Sequence, residues 1–140
     1  MAIDSLFNIA SSALNAQLTR MNTTASNLAN ASTTASSEAT AYKAKRVNFE
    51  SIVQEAQLDG QDFKGGVKIG EIVTDRTPVP SMFDPGHPNA DANGYVYGTN
   101  VNEVAEMVDM MAAARSYQNN VEVVNTAKQL MLRTLEITKA

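Results

Sequence analysis

Residues 2–31, which read AIDSLFNIASSALNAQLTRMNTTASNLANA, contain neither glycine nor proline. Apolar side chains recur in this stretch every three or four residues, which is the spacing of one face of an α-helix. The sequence therefore predicts a long amphipathic helix over 2–31. We expect it to end near Asn27 and Asn30, because asparagine tolerates the left-handed conformation of a helix C-cap. The apolar positions are Ile3, Phe7, Ala10, Leu14, Leu18, Met21, Ala25 and Leu28.

The other end of the chain, residues 101–138, carries a second apolar stripe. Its spacing is closer to the seven-residue repeat of a coiled-coil seam than to the period of a straight helix. Asn100 or Asn102 can cap its start, where Glu103 and Glu106 suit the positive end of the helix dipole. The stripe consists of Val101, Val104, Val108, Met111, Ala114, Tyr117, Val121, Val124, Ala127, Met131 and Leu135. A second apolar flank is formed by Met107, Met110, Ala113 and Leu130.

Between the helices, the composition predicts a linker and a small β-rich insert. The stretch STTASSEATA at 32–41 is small, polar and low in complexity, which indicates a loop or a mobile linker. We predict a strand near 42–49, although the apolar residues of 49–56 have helical spacing. Further short strands are predicted at 67–73, with a bulge at Gly70, and at 95–97. Turn signals are Asp59-Gly60, Gly65-Gly66, Asp84-Pro85-Gly86-His87-Pro88 and Asn93-Gly94.

The composition excludes several classes of protein. The chain has 140 residues, a net charge of −4 and basic residues scattered among acidic ones, so nucleic acid is not an expected partner. The absence of cysteine excludes disulfides and thiolate metal sites. No stretch approaches the about 18 consecutive apolar residues of a membrane span, so we expect no membrane insertion. The first basic residue, Arg20, comes too late for a Sec signal peptide.

Enzymatic chemistry has little support in the sequence. No phosphate-binding, dinucleotide-binding, zinc-protease or serine-hydrolase motif occurs, and we expect no cofactor. The single histidine, His87, lies in the turn at 84–88, where Asp84, His87 and Asp91 have the loose spacing of a metal site. A turn whose side chains cap backbone groups is the favoured interpretation, and a small enzyme that uses His87 is the alternative.

These elements predict a mainly α fold with a small β insert, in which the N- and C-terminal helices form a coiled-coil-like hairpin with short strands between them. The predicted domains are a terminal-helix domain of 1–31 and 101–140, a linker of 32–41 and a β-rich insert of 42–100. A two-helix hairpin cannot cover both apolar flanks of the second helix. We therefore expect neighbouring subunits to cover the rest, and the ends of a free monomer to be only partly helical.

Three stretches of the chain resemble the bacterial flagellar rod and hook proteins. The sequence SNLANA at 26–31, preceded by ALNAQ at 13–17 and by Arg20, is similar to the N-terminal signature of that family. The stretches DPGHPNADANGYVYGTNVNEVAEM at 84–107 and ARSYQNNVEVVNTAKQLMLRTL at 114–135 are more similar still to a proximal rod member.

This resemblance implies a structural subunit of the flagellar proximal rod and not an enzyme. Proteins of this kind are exported by the flagellar type III apparatus without a Sec signal, and they polymerise across the periplasm into a hollow shaft that transmits torque. Their terminal helices form an inner layer around the export channel, and the β domain lies outside it. The implied partners are copies of the chain, other rod proteins and the export apparatus.

The residues expected at subunit interfaces come from both stripes and from the signature. They are Phe7, Leu14, Met21, Asn27, Leu28, Asn30, Val104, Val108, Met111, Tyr117, Val121, Val124, Met131 and Leu135. For Asn27 and Asn30, a role as helix C-caps and a role as hydrogen-bonding residues between subunits both stay open. Two other assignments also stay open, namely a cytoplasmic coiled-coil adaptor and another proximal-rod paralogue.

Overall fold

A long helix lies at each end of the chain in the computed structural model, which describes residues 2–53 and 65–139. Helix α1 spans Ala2–Ala29 and helix α2 spans Glu103–Lys139. The intervening strands are β1 (Lys45–Val53), β2 (Gly65–Thr74), β3 (Ser81–Phe83) and β4 (Tyr95–Tyr97). The predicted terminal helices are therefore confirmed, and the chain is mainly helical with a small β insert.

The insert contains two separate two-stranded sheets. Strand β1 pairs with β2 and extends to Val53, so the strand predicted at 42–49 is confirmed from Lys45 onwards, and the helical alternative is wrong over 49–53. Strand β3 runs antiparallel to β4, with Met82 opposite Val96. Residues 32–41 form turns, and Ala35 pairs with Tyr97 in an isolated bridge. The predicted turn at Asp59-Gly60 lies outside the described residues.

The predicted turn at Gly65-Gly66 is wrong, because both residues open strand β2. Gly66 instead allows a close approach to α1. A Cβ atom at this position would lie 3.1 Å from Ser12 Oγ. The same hydroxyl donates to Ile9 O and accepts a hydrogen bond from Val67 N at 3.1 Å. The small residue and the hydroxyl together attach the start of β2 to α1.

An asparagine side chain caps one end of each helix. The Asn102 side chain accepts a hydrogen bond from Ala105 N at 3.0 Å, which is the geometry of an N-cap. At the end of α1, Asn30 Nδ2 donates to Ser26 O at 2.8 Å. The predicted left-handed C-cap is wrong, since no described residue other than glycine has a positive φ. A side-chain amide, and not a backbone conformation, satisfies the helix carbonyl there.

The described residues contain few large side chains in a buried core. The chain divides into a first unit of Met1–Thr19, Phe49–Gly70 and Ala112–Ala140, and a second unit of Arg20–Asn48 and Glu71–Met111. The buried apolar residues of the first unit are Ala10, Ala16, Ala113 and Ala127. Those of the second unit are Ala41, Ala44 and Val96.

A core of alanines stabilises a fold only weakly. Burying one methyl group contributes about 0.8 kcal/mol, whereas burying a leucine or methionine contributes about 1.5–3 kcal/mol. Apart from Val96, the apolar side chains larger than alanine whose burial is described are at least partly exposed, which leaves apolar surface for other contacts. None of the described helices is long and apolar enough to cross a membrane.

Candidate assembly surface

Asn27 is the centre of a buried polar cluster in the second unit. Its side chain is 1% exposed. The amide oxygen accepts hydrogen bonds from Lys45 N at 2.9 Å and from Tyr42 Oη at 3.0 Å. The amide nitrogen donates to Lys45 O at 2.8 Å and to Glu106 Oε2 at 3.1 Å. All four hydrogen-bonding positions of the amide are thus used, and they join the end of α1 to the start of β1 and of α2.

Glu106 brings a carboxylate into this cluster. It is 0% exposed, although it lies in the first turn of a helix where acids usually face water. One oxygen, Oε2, accepts a hydrogen bond from Asn27. The other, Oε1, forms an ion pair with Arg46 Nη1 at 3.0 Å, although the geometry is not that of a hydrogen bond. A buried carboxylate needs such partners, because an unpaired one would be costly. Asp109 extends the cluster by contacting Arg20 at 3.1 Å and Arg46 at 3.6 Å.

Asn100 connects two further backbone segments of the second unit. Its Oδ1 accepts from Ala44 N at 2.7 Å, and its Nδ2 donates to Thr77 O at 3.0 Å. Of the two predicted caps, Asn102 is therefore the correct one. Nearby, hydrogen bonds from the Thr77 hydroxyl and backbone, assisted by the charge of Arg46, hold the pKa of Asp75 below its ordinary value.

The segment 84–95 is a turn held by its own side chains. Asp84 Oδ1 accepts from Gly86 N, and His87 Nδ1 accepts from Asn89 N at 3.0 Å. Asp91 Oδ1 accepts from the backbone amides of Asn93 and Tyr95, each at 2.8 Å. The side chains of the proposed metal spacing thus cap backbone groups, as the turn interpretation predicted. Within the described residues no group of three His, Cys, Asp or Glu side chains is arranged to hold a metal.

The predicted Asn93-Gly94 turn requires its glycine. Gly94 has a φ of 80°, which side chains other than glycine rarely adopt. A Cβ atom there would lie 2.9 Å from a ring carbon of Phe83. The Phe83 and Tyr95 rings pack edge to face with centroids 5.4 Å apart. The turn therefore aligns β3 and β4 and brings this aromatic pair together.

Helix α2 exposes large apolar side chains at its N-terminal end. Val104 is 71% exposed, Val108 55% and Met111 65%. Their spacing of four and three residues places them on one face of the helix. Nothing else in the described chain covers them. An exposed apolar ridge of this kind is typical of a surface that contacts another molecule.

The first unit contains an apolar groove of about 350 Å³. Leu6 of α1 lines one side, and Val123, Ala127 and Leu130 of α2 line the other. The groove is open to solvent and large enough for apolar side chains of another molecule.

The fourteen predicted interface residues fall into three groups. Asn27 is buried, and its contacts are within the chain. Val104, Val108, Met111 and Leu135 are exposed. Phe7, Leu14, Met21, Leu28, Asn30, Tyr117, Val121, Val124 and Met131 are half-buried. Contact of these residues with other subunits stays a prediction.

Sequence reasoning missed the polar cluster. It assigned Glu106 to the helix dipole, considered Asn100 only as a cap and gave Arg46 no role. The one available signal was the position of Glu106 three residues after Glu103 among apolar neighbours, and it does not distinguish a solvated acid from a buried one.

Two protein-family models match the two ends of the chain, including most of both helices. Residues 7–35 match the model described as "Flagella basal body rod protein". Residues 92–137 match the model described as "Flagellar basal body rod FlgEFG protein C-terminal". Both ends of the chain thus have the features of the flagellar basal-body rod class.

Comparison with curated relatives points to one family within this class. The flagellar basal-body rod protein FlgC of Salmonella typhimurium is 45% identical over 137 residues, which is 98% of each chain. FlgC of Yersinia enterocolitica is 47% identical over the same share of each chain. FlgC of Bacillus subtilis is 36% identical over 94% of this chain and 95% of its own.

This chain belongs to the FlgC family of flagellar basal-body rod proteins. It is a structural component of the flagellar basal body and not an enzyme. Family membership excludes both the small enzyme that uses His87 and the cytoplasmic coiled-coil adaptor.

Proposed function

We propose that the chain polymerises through its terminal helices, with copies of itself and with other rod proteins, into the proximal rod. In this proposal the rod is a hollow shaft that crosses the periplasm and transmits torque. The flagellar type III apparatus exports the chain without a Sec signal. The proposal rests on membership of the FlgC family and on the surface of the two helices.

The exposed ridge of Val104, Val108 and Met111 is the observation that carries this proposal. Three large apolar side chains in water are unfavourable, and burying each would contribute about 1.5–3 kcal/mol. A neighbouring subunit is the natural cover, because rod proteins assemble. The open groove in the first unit is a further surface that assembly would fill.

The helices are proposed to pair as a coiled-coil-like hairpin within each subunit. The buried positions of α2 support this pairing, since Glu106, Ala113 and Ala127 are separated by multiples of seven residues. Of the four buried residues of α1, which are Ala10, Ala16, Thr24 and Asn27, only Ala10 and Thr24 are separated by a multiple of seven. A seven-residue period is that of a coiled-coil seam.

Coupled folding and assembly follows from the weak core of the first unit. Four buried alanines stabilise it little, so its helices are proposed to form fully only when neighbours cover them. This would allow the chain to pass unfolded through a narrow export channel. Circular dichroism of the dilute monomer should show less helix than the 28 and 37 residues of α1 and α2. Full helicity of the monomer would refute coupled folding.

The replacement Met111→Asp tests polymerisation, with Met111→Leu as the matched control. Met111 is 65% exposed, so neither change should destabilise the isolated chain by more than about 0.5–1 kcal/mol. We expect the aspartate variant to be secreted but missing from isolated basal bodies, and its cells to be non-motile. The leucine variant should assemble normally. Normal rods with Met111→Asp would refute the proposed role of the ridge.

Export is tested separately by fractionating cells with and without a working type III apparatus. We expect the chain outside the cytoplasm only when the apparatus works. Export in its absence would refute this part of the proposal and leave the polymerisation test unaffected.

A further inference from the structure

The segment 84–95 repeats one local contact three times. In each case a side chain accepts a hydrogen bond from the backbone N–H two residues further on, which is the geometry of an Asx turn. The accepting side chains are Asp84, His87 and Asp91. Aspartate and asparagine are the usual residues in this position, so the histidine is the exception. It gives one of the three turns a chemistry that the other two lack.

A histidine side chain can accept this hydrogen bond only when the ring is neutral. Asn89 N donates to His87 Nδ1 at 3.0 Å, so Nδ1 carries no proton and the ring proton is on Nε2. A protonated ring carries N–H groups at both nitrogens and would direct one of them at the N–H of Asn89. Histidine side chains ordinarily change protonation between about pH 5 and pH 8, whereas aspartates do so near about pH 3.9. A fall in pH therefore removes the acceptor at His87 and keeps the two carboxylate acceptors.

Asn89 connects this contact to another part of the second unit. Its Nδ2 donates to Thr34 O at 3.2 Å and to Thr34 Oγ1 at 3.1 Å. Thr34 belongs to the segment 32–41, and the next residue, Ala35, is held separately by its bridge to Tyr97. The Asn89 side chain is exposed, so ordering it against Thr34 costs conformational entropy. The contact with His87 fixes the Asn89 backbone and lowers that cost, so the contact with Thr34 depends on it.

Few other titratable groups lie in the elements around His87. The acids of its own turn already accept backbone N–H groups, and the acid of the segment 32–41 is ion-paired with a lysine. Strand β4 contributes tyrosines, a residue type that titrates far above neutral pH. Within the described residues His87 itself forms no ion pair. These groups are Asp84 and Asp91 in the turn, Glu38 with Lys43 at 3.5 Å, and Tyr95 and Tyr97 in β4.

We propose that His87 is a pH-sensitive switch in the second unit. The neutral side chain holds the turn around Asn89 against Thr34, and protonation of the ring releases this contact. His87 is half-buried, so water can deliver the proton. The switch acts within one chain and does not depend on the proposed polymerisation.

Nuclear magnetic resonance of the full chain labelled with ¹⁵N tests the switch. The sequence has a single histidine, so every imidazole signal comes from His87. At about pH 8 we expect the neutral ring to carry its proton on Nε2. On titration to about pH 5, the Asn89 amide proton should lose its hydrogen-bonded shift with the same midpoint as the ring, and the proton contacts between Asn89 and Thr34 should disappear. The amides of Gly86 and Asn93, which the aspartates cap, are internal controls and should keep their shifts.

The matched control is His87→Asn. Asparagine Oδ1 lies the same number of bonds from the backbone as histidine Nδ1, and it accepts a hydrogen bond at any pH in this range. This variant should keep the contact between Asn89 and Thr34 throughout the titration. The variant His87→Ala removes the acceptor and should show the released state at both ends of the titration.

Three results would overturn the inference. The first is a neutral ring that carries its proton on Nδ1 in the natural chain. The second is an Asn89 amide that does not follow the titration of His87. The third is a pH response of Thr34 that is the same in His87→Asn as in the natural chain.

Discussion

The replacement Asn27→Ala should strongly destabilise the second unit. It removes four hydrogen bonds, two with the backbone of Lys45 and one each with Tyr42 and Glu106. At about 1 kcal/mol net for each bond, the loss is about 4 kcal/mol. The better helix propensity of alanine returns about 0.7 kcal/mol. We therefore expect the free energy of unfolding to fall by about 3 kcal/mol.

Urea unfolding of the purified chain, followed by tyrosine fluorescence, measures this change. Three of the four tyrosines belong to the second unit, so the signal reports mainly on that unit. At a slope of about 1–3 kcal/mol per molar urea, the midpoint should fall by about 1 M or more. The matched control is Asn15→Ala, which makes the same change at an exposed site of the same helix. Equal midpoints for the two variants would refute a structural role of the Asn27 contacts.

Other changes test the remaining contacts of the second unit. Gly94→Ala should lower the free energy of unfolding by about 1–2 kcal/mol, because alanine is strained at a φ of 80°. The control Gly86→Ala, where an added Cβ crowds no neighbouring atom, should leave thermal unfolding nearly unchanged. Glu106→Gln should cost about 1–3 kcal/mol, because it removes a charge-assisted contact at a fully buried position; unchanged urea stability would contradict this account. Thr77→Val should raise the pKa of Asp75 towards its ordinary value in an NMR titration, since it removes the hydroxyl hydrogen bond. Because the pKa of Asp75 is lowered in the folded state, the ionised carboxylate stabilises the fold fully above its unfolded-state pKa. This stabilisation is lost as the pH falls through the folded-state pKa. The variant should thus lose this contribution at a higher pH, and an unshifted pKa would argue against the hydrogen bond.

The helices and turns were predictable because their signals are local. Residues 2–31 and 101–138 carry their apolar period within a few turns, and Asn102 and Gly94 act within a few residues of their own position. The turn at Gly65-Gly66 was mispredicted because Gly66 serves a contact with Ser12, which is far away in sequence. A single sequence does not show that Gly66 and Ser12 come into contact.

The polar cluster could not be predicted for the same reason. The burial of Glu106 depends on Asn27 and Arg46, which lie on other elements. The stripe of α2 had a different difficulty. The predicted stripe includes Ala127, which is buried within the chain, but also Val108 and Met111, which are exposed, whereas the fully buried Ala113 was assigned to the second flank. Small side chains allow helix backbones to approach closely, and the large ones remain outside.

An electron-microscopy map of the isolated basal body, with this chain traced in it, tests the central claim most directly. The claim is that other subunits cover the apolar ridge of α2. We predict that Val104, Val108 and Met111 of each copy are buried against helices of neighbouring chains in the rod. A rod in which these side chains face solvent, or a basal body whose rod lacks the chain, would contradict the account.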